Sequence, residues 1–198
     1  MKPIKRGFKI WALACSKTGY LVNFQIYQGK GESSSTEMLG ERVVLELSKN
    51  FQNRGYCIYF DNFFTTIALM QKLLDRGLFG CGTVRQNRKN FPKHMLCTVK
   101  ELSQNQSDSV ASGEISVYKW KDRGVKSVAV ASNRHNFLEK TEVLRTNKTG
   151  QRDNVTCPKA IADYNIHMGG VDLFDQYHEN YSTSWKSRWW WIKFYIYI

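Results

Sequence analysis

The stretch "CIYFDNFFTT", residues 57–66, carries the signals that decide the fold class. Cys57 to Phe60 are largely apolar, and a short continuous apolar run is typical of a buried strand. Asp61 follows directly, and a helical pattern begins a few residues later with Thr65 as its expected N-cap. A buried strand that leads into a helix favours an α/β fold, and it places a carboxylate at the carboxyl end of the strand.

The neighbouring segments continue this alternation of strands and helices. Two strands separated by a short polar turn predict a hairpin, and the periodicity of the following segments predicts helix, strand, helix and strand in that order. Such an order calls for a partly parallel sheet covered by helices. The predicted elements are the strands 7–14 and 20–27, a helix within 34–51, the strand 57–60, a helix that ends at Gly77 and the strand 78–84.

A different pattern begins after Val84. The next sixteen residues carry five basic side chains and no acid, and residues 101–114 are polar and typical of a linker. Two short strands are predicted after them, and residues 133–158 are interpreted as irregular. We therefore divide the chain into the first part of a core (1–84), an insertion (85–160, with strands at 115–120 and 126–132) and the closing helices of the core (161–198).

The charge balance points to a polyanionic partner. Lys and Arg number 29 against 17 Asp and Glu, which gives a net charge of +12. Nucleic acid is the first candidate partner and an anionic membrane surface the second, while a generically basic soluble protein is the alternative. The apolar stretch at 189–198 is too short to span a bilayer, so we predict no membrane association.

The five cysteines occur singly, and no pair has the C-x-x-C spacing of a zinc site. We expect reduced thiols in a cytosolic or nuclear setting, and no zinc site.

Three acids could form a site at the edge of the sheet. Open sheets with parallel strands bind ligands at the carboxyl ends of their strands, where Asp61 is expected. In "GGVDLFDQY", Asp172 and Asp175 share one face of a predicted helix, with Val171 directed into the core. Carboxylates from a strand and a helix can hold Mg²⁺, although turn formation and the helix dipole explain the same acids without a ligand.

The sequence resembles the piggyBac-type DNA transposases and their domesticated derivatives. The resemblance extends along nearly the whole chain, and five matching stretches in the right order make it specific. The stretches are "KPIKRGFKIWALACSKTGYLVNFQIYQGKG", "YFDNFFTT", "GTVRQNRKNFP", "YNIHMGGVDLFDQ" and "WKSRWWW".

The resemblance implies a fold, a chemistry and a set of site residues. The fold is an RNase H-like mixed sheet with flanking helices, interrupted by an insertion before the last catalytic helix. The chemistry is Mg²⁺-dependent DNA cleavage and strand transfer at TTAA targets in the nucleus. Asp61 matches the second essential aspartate and Asp172 the third, so both are expected metal ligands, and Asp175 matches an assisting acid.

The resemblance also implies a homodimer. The 198 residues include neither the family's dimerisation region nor its cysteine-rich zinc module, so we expect a fragment.

Cys15 stands where the family has its first aspartate. A thiol has a pKa of about 8.5, and its soft sulfur is a poor ligand for Mg²⁺. At an effective dielectric near 20, a charge about 4 Å from a cation is worth roughly 4 kcal/mol per cation charge. We therefore expect weakened Mg²⁺ binding and absent or severely reduced cleavage. If the match slips by a residue or two, Cys15 is instead an ordinary buried thiol.

Basic residues beside aromatic ones favour DNA contact through phosphate binding and base stacking. The expected function is thus a DNA-binding, transposase-derived domain. The alternatives are an active transposase and a non-enzymatic domesticated or decaying fragment. The candidate DNA contacts are Arg85, Arg88, Lys89, Lys93, Lys186 and Arg188.

Overall fold

The structure of the protein is a computed structural model that describes residues 9–29, 38–122, 124–147 and 150–180. A 3₁₀ turn at Lys49–Phe51 follows the first helix. The strands and helices are β1 (Ile10–Ala14), β2 (Leu21–Ile26), α1 (Leu39–Leu47), β3 (Cys57–Phe60), α2 (Ile67–Asp75), β4 (Phe79–Thr83), β5 (Ser107–Ser112), β6 (Ile115–Trp120), β7 (Val128–Ser132), β8 (Lys140–Thr146), β9 (Arg152–Pro158), α3 (Lys159–His167) and α4 (Gly170–Asn180).

A mixed five-stranded sheet forms the centre of the described structure, in the order β3-β4-β7-β6-β5. β3 and β4 are parallel, with Phe60 opposite Gly82, and the other neighbouring strands are antiparallel. The expected α/β fold with a mixed sheet and flanking helices is confirmed. Because β7 pairs with β4, strands from the expected insertion extend the sheet that β3 and β4 begin. The domain boundaries at 84 and 160 stay predictions.

Two segments expected to lack regular structure contain strands. The polar linker expected at 101–114 includes β5, which pairs along its whole length with the fully buried strand β6. The stretch 133–158, expected to be irregular, contains β8 and β9, which form a separate two-stranded sheet. Both expectations were wrong because these strands are only partly buried, and their polar residues hide the apolar alternation that marks a strand.

The helix α2 is anchored to the sheet by its apolar face and by one buried amide. Leu69, Met70 and Leu73 have no exposed surface. Asn133 accepts a hydrogen bond from the Gly80 N–H (2.6 Å) and donates one to the Met70 carbonyl (2.8 Å), so it joins β4 to α2. This packing helps to fix the end of β3, because only residues 61–66 separate β3 from α2.

The N-cap of α2 is Thr66 and not Thr65. The Thr66 hydroxyl accepts a hydrogen bond from the Leu69 N–H at 3.0 Å. Thr65 is fully buried, and its hydroxyl donates to the Asp61 carbonyl oxygen at 3.0 Å. The sequence could not separate two adjacent threonines, because either can cap a helix.

The hairpin of β1 and β2 is a separate two-stranded sheet, and an aromatic cluster attaches it to the rest of the fold. Trp11 of β1 stacks on Phe63 and meets Phe64 edge to face, each with ring centroids 5.5 Å apart. Trp11 also packs on the buried Val43 and Leu47 of α1. The strand that leads to Cys15 is thereby tied to the loop that follows Asp61.

In the part of the chain that the structure describes, no helix combines the length and the apolar character needed to cross a bilayer.

Candidate functional site

Asp61 lies at the carboxyl end of β3, beside the end of β4. Its side chain is exposed, and one carboxylate oxygen, Oδ1, accepts the Asn62 N–H at 2.5 Å and the Thr83 hydroxyl at 3.4 Å. Because β3 and β4 are parallel, Asp61 and Thr83 lie at the same edge of the sheet. The structure thus places Asp61 at the sheet edge where the sequence predicts a ligand.

Two arginines shape the turn that follows Asp61. Arg88 donates from Nη2 to the carbonyl oxygens of Asn62 and Phe63, both at 2.9 Å, and Arg85 donates from Nε to Asn62 Oδ1 at 2.8 Å. The sequence predicts both arginines only as DNA contacts. The structure shows that they also hold the backbone next to the candidate site.

The other candidate DNA contacts differ in position. Lys89 and Lys93 are exposed on the same loop as Arg85 and Arg88. Lys186 and Arg188 lie outside the described residues.

Cys15 follows β1 and is half-buried in a tight turn. The Cys15 N–H donates to the Tyr20 carbonyl and the Gly19 N–H donates to the Cys15 carbonyl, both at 2.8 Å. Gly19 has φ +69°, a left-handed conformation that glycine adopts without strain. A Cβ added there would lie 2.9 Å from Leu173 Cγ, so the glycine also allows α4 to approach the turn.

Gly170, the first residue of α4, makes the complementary approach from the helix. A Cβ added to Gly170 would lie 3.1 Å from the Ser16 Cα and 3.2 Å from the carbonyl oxygens of Ala14 and Cys15. The two glycines bring the beginning of α4, with Asp172 in its first turn, against the Cys15 turn. In the "MGGVD" stretch, the close packing of α4 against the turn thus explains why residue 170 is a glycine.

The turn stabilises negative charge on Cys15. The Thr18 hydroxyl, the backbone N–H groups of Lys17 and Thr18, and the positive charge of Lys17 lower the pKa of the Cys15 thiol below its ordinary value. The sequence alone predicts a Cys15 thiol with an ordinary pKa. Donors of this kind favour any anion that accepts their hydrogen bonds, a carboxylate included.

Asp172 and Asp175 are both exposed on α4. Partial burial raises the pKa of Asp175, and the negative charge of Asp172 raises it further. This interaction agrees with two acids on one helix face. Val171, which was expected in the core, is 38% exposed and lies at the apolar cavity beside the Cys15 turn.

A buried tyrosine on α3 lies near both acids of the candidate site. Tyr164 is 6% exposed. Burial raises the pKa of its phenol, and the negative charges of Asp61 and Asp172 raise it further. The sequence does not predict a role for Tyr164, because a tyrosine in a helical apolar pattern gives no sign of a polar neighbour.

The side chains as placed do not form a Mg²⁺ site with three carboxylates. Among the described residues, no group of three His, Cys, Asp or Glu side chains could hold a metal ion. The first of the three expected positions also presents a sulfur atom, which Mg²⁺ binds poorly. The roles of Asp61 and Asp172 as metal ligands, with Asp175 assisting, therefore stay predictions.

An apolar cavity of about 350 Å³ separates the end of β1 from β3. Residues 12–16 line one wall and residues 56–59 another, so Cys15 borders it. His167 also lines it, stacked on Tyr59 with ring centroids 4.7 Å apart. The two strands whose ends carry Cys15 and Asp61 thus face a common cavity.

Comparisons with known proteins agree with this architecture. The family model described as Transposase IS4 matches residues 1–198. The human PiggyBac transposable element-derived protein 3 is 33% identical, over 96% of this chain and 33% of its own length. The human PiggyBac transposable element-derived protein 2 is 31% identical, over all of this chain and 34% of its own length.

A solved structure also matches this chain in its fold. The cryo-EM structure of the piggyBac transposase synaptic complex with hairpin DNA matches with a TM-score of 0.78 and 29% identity, over 98% of this chain and 38% of that chain. This match agrees with the RNase H-like fold class that the resemblance implies. The chain spans about a third of the length of these two curated relatives.

Proposed function

The chain belongs to the Transposase IS4 family and is of the piggyBac type, and from this premise we propose that it is a DNA-binding domain in which DNA cleavage and strand transfer are lost or much reduced. One observation carries the loss of cleavage. The acidic helix α4 packs against the turn that contains the thiol of Cys15, and the family resemblance implies an aspartate at this position.

The loss of a single carboxylate is large on the scale of catalysis. Each 1.36 kcal/mol of lost transition-state stabilisation lowers a rate about tenfold. A thiolate at Cys15 would restore a negative charge, but its sulfur would not restore a hard oxygen ligand. Reduced cleavage is therefore expected whichever protonation state the thiol adopts.

The net positive charge of the chain and the position of two exposed lysines support DNA binding. The net charge is +12, and the exposed Lys89 and Lys93 lie on the loop whose arginines hold the Asp61 turn. A DNA backbone bound by this loop would pass close to the candidate acids. A DNA partner also favours the nucleus as the location.

The experiment that tests this proposal has two readouts, and the first is nicking of supercoiled plasmid in Mg²⁺ or Mn²⁺. The unmodified chain should not nick above background, and Cys15→Asp should raise nicking at least tenfold, because it supplies an oxygen ligand in an anion-stabilising turn. Cys97→Asp, at an exposed cysteine outside the candidate site, is the matched control. Nicking by the unmodified chain at the rate of Cys15→Asp would contradict the proposal, and no nicking by either would remove Cys15 as the cause.

The second readout is the salt dependence of binding to a labelled duplex, followed by fluorescence anisotropy. Each phosphate contact contributes about 0.9 to the slope of log K against log salt. The double variant Lys89→Gln with Lys93→Gln should therefore lower the slope by about 1.8. Lys49→Gln, which changes an exposed lysine near Glu46, should leave it unchanged. Absence of binding at low salt would refute the DNA-binding part of the proposal.

A further inference from the structure

The ammonium group of Lys9 lies against three aromatic rings beside the Asp61 turn. Its Nζ is 4.0 Å from the ring centroid of Trp11, 5.4 Å from that of Tyr27 and 5.7 Å from that of Phe63. The rings come from β1, from the residue that follows β2 and from the turn after Asp61. A lysine near the start of the chain is therefore held next to the candidate site.

The rings that surround the Lys9 ammonium are themselves fixed. Trp11 stacks on Phe63 and meets Tyr27 edge to face, with ring centroids 5.5 Å and 6.3 Å apart. The Tyr27 N–H donates to the Lys9 carbonyl oxygen at 2.8 Å, which fixes the backbone from which the lysine extends. Ring faces attract a cation, so the contacts restrict a side chain that would otherwise sample many rotamers. A restricted side chain loses less conformational entropy when it binds a ligand.

The Lys9 ammonium keeps its hydrogen-bond donors for an external acceptor. Lys9 is exposed, and within the described ranges its ammonium contacts the three rings without an oxygen acceptor or an acidic partner. Lys119 and Lys121 differ, because their ammonium groups donate to the backbone carbonyls of Cys97, Val99 and Leu102. An ammonium has three N–H donors, and rings that attract its charge do not replace oxygen acceptors.

Two basic segments that are distant in the sequence meet at Phe63. Lys9 lies over the Phe63 ring, and Arg88 donates to the Phe63 carbonyl oxygen at 2.9 Å. The start of the chain and the loop 85–93 thus both contact the turn that follows Asp61. A phosphate backbone is bound by several cations along one surface, and this arrangement adds a second segment to the basic loop.

We propose that Lys9 contacts a phosphate of bound DNA, and that the rings of Trp11, Tyr27 and Phe63 hold its ammonium in position for this contact. The phosphate oxygens are the acceptors, and the hydrogen bonds are strengthened by charge on both partners. The inference rests on the proposed function, since it adds a residue to the DNA-binding surface. The aromatic contacts of Lys9 exist without DNA and can be tested separately.

The first test measures the salt dependence of binding of the full chain to a labelled duplex by fluorescence anisotropy. Lys9→Met keeps an unbranched apolar stem on the rings and removes the charge, so it should lower the slope of log K against log salt by about 0.9. Lys9→Arg keeps a cation that stacks on aromatic rings and should retain the slope. Lys49→Gln, at an exposed lysine beside Glu46, is the control and should also retain it.

The second test separates the position of Lys9 from its charge. Phe63→Leu removes one ring and leaves the lysine, so the slope should stay constant while the affinity falls about two- to fivefold, the size of an exposed cation–π contact. Phe137→Leu is the matched control, because Phe137 is 37% exposed and Phe63 is 39% exposed. Equal affinities of the two variants would refute the role of the Phe63 ring.

A third readout needs no DNA. In ¹H–¹³C NMR spectra of the free chain, the Cε protons of Lys9 should resonate upfield of those of Lys49, because the ring current of Trp11 shields them. Equal chemical shifts would refute the aromatic positioning.

Two outcomes of DNA binding would overturn the phosphate contact. In a chain that binds the duplex, an unchanged slope for Lys9→Met, or an equal fall for Lys9→Arg, would refute the contact and leave the proposed function standing. Absence of binding by the unmodified chain would refute both together, and the upfield Lys9 signal would then remain as evidence for the aromatic contacts alone.

Discussion

Two strand ends carry the candidate residues Cys15 and Asp61, and they are held by different kinds of interaction. The turn after β3 is fixed largely by side chains, since Arg85, Arg88 and Thr83 all donate hydrogen bonds to Asp61, Asn62 or Phe63. The turn after β1 is fixed by its own backbone hydrogen bonds and by the close approach of α4 at two glycines.

The difference means that the side chain at residue 15 could change without altering the shape of its turn. None of the backbone contacts at the Cys15 turn requires a particular side chain at residue 15. A change from aspartate to cysteine at that position would therefore leave the turn and the start of α4 in place. The Asp61 turn has no such independence, because a neighbouring N–H and hydroxyl bond directly to the carboxylate.

The largest expected effect is a loss of stability when the backbone packing at the Cys15 turn is disturbed. Gly170→Ala should lower the free energy of unfolding by about 2–3 kcal/mol, because its Cβ meets backbone atoms of residues 14–16 that cannot easily move. Gly169→Ala is the control, since a Cβ there meets nothing within 4 Å. Urea denaturation of both variants measures the difference, and equal stabilities would show that α4 does not rest tightly on the turn.

A smaller effect is expected at the Asp61 end. Arg88→Gln removes two hydrogen bonds from a charged donor to the carbonyls of Asn62 and Phe63 and should cost about 1–2 kcal/mol of unfolding free energy. Lys89→Gln changes the adjacent exposed charge and should stay within about 0.5 kcal/mol. The same denaturation series compares them, and an Arg88→Gln variant as stable as Lys89→Gln would remove Arg88 from the support of the turn.

The smallest expected effect is a difference in pKa between two thiols of the same chain, Cys15 and Cys97. The pKa of Cys15 is lowered by the Thr18 hydroxyl and its neighbours, whereas hydrogen bonding to Asp108 and its charge raise the pKa of Cys97. Because the thiolate is the reactive form, alkylation of Cys15 should begin at lower pH than alkylation of Cys97. Peptide mass spectrometry across a pH series measures both midpoints.

Thr18→Ala provides the control for the thiol comparison. It removes the main stabilising donor, so the Cys15 midpoint should rise while the Cys97 midpoint stays constant. Identical midpoints for the two thiols in the unmodified chain would contradict the anion-stabilising character of the Cys15 turn.

Much of the central architecture could be predicted from the sequence. The expected strands 57–60 and 115–120 are observed as β3 and β6, and the helix that bears Asp172 and Asp175 is observed as α4. These elements are periodic or continuously apolar, so local pattern identifies them. The strands β5, β8 and β9 escaped prediction because their exposed faces are polar and their pairing partners are identified only in the folded chain.

The amino-acid sequence by itself determined the α/β order, the basic charge and the family pattern, and it led to the prediction that Cys15 occupies the position of an acid. Each of these depends on residue identity or on spacing along a single element. Only the tertiary structure decided that Arg85 and Arg88 support the Asp61 turn and that glycines let α4 approach Cys15. These contacts join residues far apart in the chain, and their hydrogen bonds depend on distances and angles that packing alone sets.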